Sequence, residues 1–249
     1  MRFQFYFIIA AATIVIVACT TLKRERAQNF STSVTPPGTI QIDTNFYCDE
    51  WEITNLDWLE YLYWLSKVYG DTSAEYMSAL PVDYEEAKPF NHPARRSEPI
   101  TGITQEQAEQ YSRWRSDRVF EKLLDRHKII CGDTAQHSGN YFTIERFYQG
   151  TITNRISEVS VDYYPEYRLP TLEDRKKILQ FAESGTKKSS YLLNLHSKVH
   201  EWSEVPEVAF RGLPDTLSQT TASDTIRLSG ANFQTGFRNV CTWKLRKNE

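Results

Sequence analysis

The side chains of this chain best suited to chemistry are four cysteines and five histidines. "HSKVHE" puts His196, His200 and Glu201 within six positions. On a helix the two imidazoles would share one face, as in zinc sites. On a strand they would stand ~13 Å apart, too far for one ion. His92, His127 and His137 lie in unrelated contexts and read as surface residues. Thiolate chemistry on a soft metal needs two sulfurs at one place, yet the stretch 203–238 contains no cysteine. No Gly-rich phosphate loop, nucleophile elbow or HExxH occurs.

Cys19 has a different setting. It ends "FQFYFIIAAATIVIVAC", which follows Arg2, an apolar run short for a membrane span and suited to a signal segment. Ile16, Val17, Ala18 and Cys19 resemble the bacterial lipobox, whose cysteine receives a diacylglyceryl group and becomes the mature N-terminus. The alternatives are an ordinary cleaved signal or an uncleaved anchor. Residues 1–18 then read as a lipoprotein signal peptide and 19–38 as a lipidated, polar tether ending in Pro-Pro-Gly. Residues 39–249 read as one folded domain. With Cys19 acylated, Cys48, Cys131 and Cys241 remain; Cys48 and Cys241 could bridge the terminal strands or stay as two buried thiols.

These residues need a frame. At 40% hydrophobic and 13% aromatic the chain is globular, and a formal charge of −3 gives no basic field to draw nucleic acid. Alternation over 39–54 predicts one or two short strands. Thr54 with Asp57, Thr104 with Gln107 and Thr171 with Asp174 each have the spacing of a capping box. The first opens a helix with Leu56, Leu59, Leu62, Leu65 and Tyr69 at helical spacing, stopped by Gly70. The second opens one that runs to about Lys128, its face interrupted by Arg115. Prolines 81, 89, 93 and 99 predict a long loop over 71–100. Short β-rich pieces, "YFTIERFY" among them, predict hairpins or an extended loop over 129–165, and short strands finish the chain beyond Gly185.

The landmarks "DEWEITNLDWLEYLYWL", "PITGITQEQAEQYSRWRSDR", "YRLPTLEDRKKILQFA", "VHEWSE", "FRG" and "TGFRNVCTW" resemble, in that order, those of the formylglycine-generating enzyme, or sulfatase-modifying-factor, family. Its members commonly show an EVTN-like start to helix one, a helix with spaced Ala, Tyr, Trp and Arg, RLPTEAEW, an EW strand, RGG and a terminal GFR. The resemblance covers roughly residues 39 to 245. It implies an α+β, C-type-lectin-like fold: two main helices on short twisted strands, termini together, long loops. Glu52, Trp58, Trp114, Arg168, Trp202 and Arg238 then anchor core and loops. Trp202 and Trp243 become buried rings whose N–H meets a carbonyl. Arg168 and Arg238 become partners of carboxylates, Glu201 among them.

Catalytic members carry a copper-binding cysteine pair between the EW strand and GFR, which this chain lacks. The resemblance also places His200 and Glu201 on the EW strand, which weakens a metal role for His196, His200 and Glu201. Arg175 stands where tryptophan is usual in RLPTEAEW. Lys198, Val199 and His200 replace the Gly-Asn of the family's calcium loops, so no cofactor is expected, with calcium left open. The reading that follows is a non-catalytic, membrane-tethered module in a bacterial envelope complex, resembling lipoproteins of gliding and protein secretion in Bacteroidetes. It would be lipid-anchored, at the outer membrane, with envelope proteins or peptidoglycan as partners. The alternatives are a metal-dependent oxidoreductase lacking the cysteine pair and a calcium-dependent glycan or peptidoglycan binder. Loop aromatics and arginine are the usual interface anchors: here Tyr76, Tyr84, Phe90 and Arg95, with Tyr141, Phe142 and Phe147.

Overall fold

The computed structural model describes residues 34–82, 90–132, 136–157, 159–185, 199–212 and 224–246. Cys19, Tyr84 and His196 lie outside the described residues.

The N-terminal hairpin comes first, β1 (Thr39–Asp43) and β2 (Phe46–Asp49). Its turn residue Asn45 has φ 54°, a left-handed conformation that asparagine tolerates. The Asn45 amide donates to the Trp243 carbonyl at 3.0 Å and accepts from the Trp243 N–H at 2.8 Å. Trp243 belongs to the last strand, β8 (Val240–Leu245), so the turn is pinned to the far end of the chain. With β3 (Tyr163–Arg168) these strands form an antiparallel sheet in the order β1-β2-β8-β3. A second sheet, β6-β5-β4-β7, is built from β4 (His200–Trp202), β5 (Val208–Phe210), β6 (Thr225–Arg227) and β7 (Thr235–Gly236). Gly236 is required there, because a Cβ would lie 2.5 Å from the Ile100 carbonyl oxygen.

Three long helices cover the sheets: α1 (Asn55–Tyr69), α3 (Gln105–Arg126) and α5 (Leu172–Glu183), with α2 (Ala74–Ser78) and α4 (Ile144–Tyr148) between them. The three expected capping boxes all form: the Thr54, Thr104 and Thr171 hydroxyls accept from Asp57, Gln107 and Asp174 N–H at 3.0–3.2 Å, and those side chains bond back to the threonine N–H at 2.7–2.9 Å.

α1, α3 and the second sheet enclose one core, in which Trp58 stacks on Tyr111 and meets Phe237 edge-on. Trp58 and Trp202 donate to the carbonyls of Ala79 and Ile103, both at 3.1 Å. The first sheet is buried on both faces. Tyr47, Tyr167, Cys241 and Trp243 face the core under α3, while Phe46, Cys48 and Val240 face α5 through Ile178 and Leu179.

Three expectations change here. Cys48 pairs across the ladder with Val240, and Cys241 with Tyr47. Directly opposed residues share a face and adjacent ones do not, so the two thiols point to opposite sides of the sheet. Both are free, and no Cys48–Cys241 disulfide forms. "YFTIERFY" is also not a hairpin: Thr143 caps α4 by accepting from Arg146 N–H at 3.1 Å, and Asp117 accepts from Ile144 N–H at 2.8 Å. Phe147 then packs edge-on against Phe120, so capping and burial override the β propensity of Tyr, Phe, Thr and Ile. The Trp243 indole N–H, expected to reach a carbonyl, finds none among the described residues.

Between the two sheets lies an ionic joint. Glu201 accepts from Arg175 on Oε2 at 2.9 Å and from Arg238 on Oε1 at 3.1 Å. Arg238 also donates to the carbonyls of Asp49 and Glu50 at 2.9 and 3.0 Å. Burial alone would raise the pKa of Glu201, but Arg238 and Arg175 hold it below the usual carboxylate range. Arg168, as expected, is held by Asp174 at 2.6 Å.

Glu201→Gln removes the carboxylate paired with buried Arg175 and leaves Arg238 with Glu52 at 3.6 Å, and we expect a loss of about 3–5 kcal/mol in urea unfolding of a protein that still expresses. Asp117 tests the opposite sign. Burial raises its pKa to about 6, above the unfolded value near 4, so its favourable contribution is present in acid and lost as pH rises through 6. Asp117→Asn keeps an acceptor for Ile144 without the charge. It should exceed the wild type by about 1–2 kcal/mol at pH 7.5, the gap closing toward pH 4 in a series of thermal melts.

Candidate interaction surface

α1 carries two apolar stripes. Trp58, Tyr61, Leu62, Leu65 and Val68 are buried in the core. Leu56, Leu59 and Tyr63, at i, i+3 and i+7, run along the outer face, with Leu56 43% and Tyr63 65% exposed. Trp51, just before the helix, is 52% exposed. Large apolar groups that project together from a folded domain mark a contact surface more often than singly scattered ones.

Two adjoining clefts bound this stripe. One, of about 560 Å³, is lined by Leu56, Tyr63, Trp64, Arg96, Trp114 and Arg118. The other, of about 630 Å³, continues past Trp114 and Arg118 to Trp51, Lys122 and Arg126. Arg115, Arg118, Lys122 and Arg126 recur on α3 at helical spacing, so one side of the groove is basic. Arg115 is engaged with both oxygens of Asp49 at 2.6 and 2.8 Å, and its guanidinium lies 4.2 Å from the Tyr167 ring centroid. Arg118 donates to Glu121 at 2.7 Å, to Gln136 at 2.8 Å and to the Phe142 carbonyl, and sits 4.8 Å from the Trp64 ring. Trp64 Nε1, Trp114 Nε1 and Arg118 Nε are buried and meet no acceptor among the described residues. A buried donor left unpaired costs about 1–3 kcal/mol, so three beside one groove are notable.

Of the residues expected at an interface, Tyr76 reaches this surface: half-buried on α2, it lines a shallow groove with Leu59, Tyr63 and Asn91. Arg95 is exposed and paired with Glu98 at 2.7 Å. Tyr141 is half-buried, its ring edge-on to Trp64 and Tyr69. Phe90, Phe142 and Phe147 are 6%, 3% and 2% exposed and belong to the cores. As free anchors they are corrected, because the loops that carry them fold back and bury them. His200 Nδ1 accepts from Gly212 N–H at 3.0 Å, and Glu201 is committed to its two arginines. No group of three or more His, Cys, Asp or Glu among the described residues could hold a metal. No helix of the described residues is long and apolar enough to cross a membrane.

Sequence reasoning gave Leu56 and Leu59 only as part of the helical spacing of α1 and passed over Trp51, Tyr63, Trp64 and the cations Arg118, Lys122 and Arg126 of α3. The signal was a surplus: α1 has more apolar residues than one stripe can use. Because Trp51 and Tyr63 project into solvent, Trp51→Ala and Tyr63→Ala should each move unfolding free energy by no more than about 0.5 kcal/mol, read by urea titration. A loss of 2 kcal/mol or more at either would make that side chain part of the core.

A sulfatase-modifying factor enzyme 1-like domain matches residues 9–240. Neither curated proteins nor solved structures give a match. The chain belongs to the sulfatase-modifying factor family, and its α+β architecture is that family's C-type-lectin-like fold.

Proposed function

We propose that this member of the sulfatase-modifying factor family is a non-catalytic, membrane-tethered interaction module of a bacterial envelope complex, of the kind that serves gliding or protein secretion. The α1–α3 groove carries the reading: exposed Trp51, Leu56 and Tyr63, a basic side and unpartnered donors lie together. The donor set for the family's copper chemistry does not fit. No cysteine occurs in 203–238, and Cys48 and Cys241 stand on opposite faces of one sheet. Burial pushes the Cys48 thiol up to about 12, far from the thiolate that a soft metal takes. Cys131 is exposed and alone on its loop.

Anchoring rests on Cys19 and the apolar run before it, with the cell envelope, at the outer membrane, as the site of action and envelope proteins as partners. A groove between helices favours a protein partner over peptidoglycan, since Leu56, Leu59, Tyr63 and Trp64 wall one of its clefts with apolar surface.

The test uses the intact protein in its own membranes. Labelled fatty acid should enter the wild type and not Cys19→Ser, and a photocrosslinker at Trp51 or Tyr63 should capture the same neighbour from both positions. Equal labelling of wild type and Cys19→Ser would refute the anchor. A groove that crosslinks to nothing, in protein holding stoichiometric metal that is lost on changing His200 to Ala, would replace the module with a metal-dependent oxidoreductase. Calcium-dependent retention on peptidoglycan would replace it with a glycan binder.

A further inference from the structure

We infer that the groove between α1 and α3 receives an acidic segment of a protein partner, one carboxylate entering beside Trp64, Trp114 and Arg118 and apolar side chains lying on Leu56, Leu59 and Tyr63. The inference rests on the reading of this domain as an interaction module.

Three features of the groove point to the same chemistry. Its wall carries three unpartnered donors, two indole N–H and one guanidinium N–H, while the buried Glu52 carboxylate that also lines it faces Arg238 at 3.6 Å. An indole N–H can only donate, and a guanidinium has no lone pair to offer, so the complementary group is an acceptor. The charges around them agree. Arg96, Lys122 and Arg126 are exposed and have no ion-pair partner among the described residues. Glu60 is the exposed carboxylate facing them, whereas Asp57 is turned back into its own capping box. An acceptor with negative charge gains from both terms, and a carboxylate takes more than one N–H at once.

The third feature separates a polypeptide from other anions. Leu56, Leu59 and Tyr63 form an apolar rail beside the donors, so the ligand offers alkyl or aromatic groups within a few ångströms of its charge. A flat bilayer surface does not follow a cleft between two helices, and a bare glycan lacks the apolar groups. Trp64 and Trp114 are half-buried, so a side-chain rotation brings their N–H to the incoming oxygen.

The test measures fluorescence anisotropy of the full chain with three labelled probes: a Leu–Glu peptide with leucines at helical spacing, its Leu–Lys counterpart, and polyglutamate. Vesicles containing phosphatidylglycerol and a soluble peptidoglycan fragment serve as competitors. The Leu–Glu peptide should bind saturably, the Leu–Lys peptide should not, and polyglutamate should be weaker because it lacks apolar contacts. Lys122→Glu with Arg126→Glu should weaken the Leu–Glu peptide about tenfold or more and admit the Leu–Lys peptide. Trp114→Phe keeps a ring and removes one donor, and should weaken binding several-fold; Arg96→Glu serves if it fails to fold.

Equal binding of the two peptides, no effect of charge reversal, or displacement by vesicles or peptidoglycan fragment at lower concentration than by unlabelled Leu–Glu peptide would overturn the inference. Photocrosslinking from Trp51 separates the two readings. A neighbour captured in membranes by a groove that ignores the Leu–Glu peptide leaves the module standing without the acidic partner, whereas no capture and no binding removes both.

Discussion

Glu201 holds a guanidinium on each carboxylate oxygen, Arg175 on one and Arg238 on the other, and all three side chains are no more than 5% exposed. Taking such ions out of water costs several kcal/mol each, roughly, so the arrangement persists only because the pairing is close to complete. Its members come from every part of the fold: Glu201 from β4, Arg175 from α5, Arg238 from the link between β7 and β8. Through the carbonyls of Asp49 and Glu50 it reaches the end of β2, and Asp49 passes the tie on to Arg115 of α3. The two sheets share no strand; this joint fixes one against the other. Arg175 packs by Phe210 with its charge met by Glu201.

The same joint bears on sulfur. Cys48 sits close enough to Arg238 for the cation to favour a thiolate, yet burial outweighs it and the thiol is held protonated. Nearness to positive charge is therefore not enough for a reactive cysteine; the charge here is already spoken for by carboxylates, and the thiol is fully buried. Cys241 is one residue out of register with Cys48 and faces the other core. The two cysteines of the first sheet are packing atoms in this chain.

Much of the scaffold could be read from local rules. Thr54, Thr104 and Thr171 announced their helices because a capping box satisfies backbone groups within four residues, whatever the distant packing. Gly236 of the terminal GFR was legible as a landmark, although its reason, the Ile100 carbonyl, lies over a hundred residues away. The failures were tertiary. Phe142 and Phe147 look like loop anchors until Phe120 of α3 is placed beside them. Cys48 and Cys241 look like a bridge until the ladder register is known, since a shift of one residue reverses a side chain.

The surface missed by sequence reasoning was hidden because helical spacing alone does not say which apolar residues of α1 face the core. A helix on one sheet needs one apolar stripe, and α1 satisfies this with Trp58, Tyr61, Leu62, Leu65 and Val68. Leu56 and Tyr63 stay exposed and Leu59 packs only partly against that core, and exposed leucine and tyrosine beside buried, unpaired indole N–H groups are unfavourable for the domain alone in water. Both penalties fall in the same groove, where a neighbour that covers the apolar rail and supplies an acceptor relieves both together. The groove is thus where the chain's energetics are least complete, and completing them requires a second molecule.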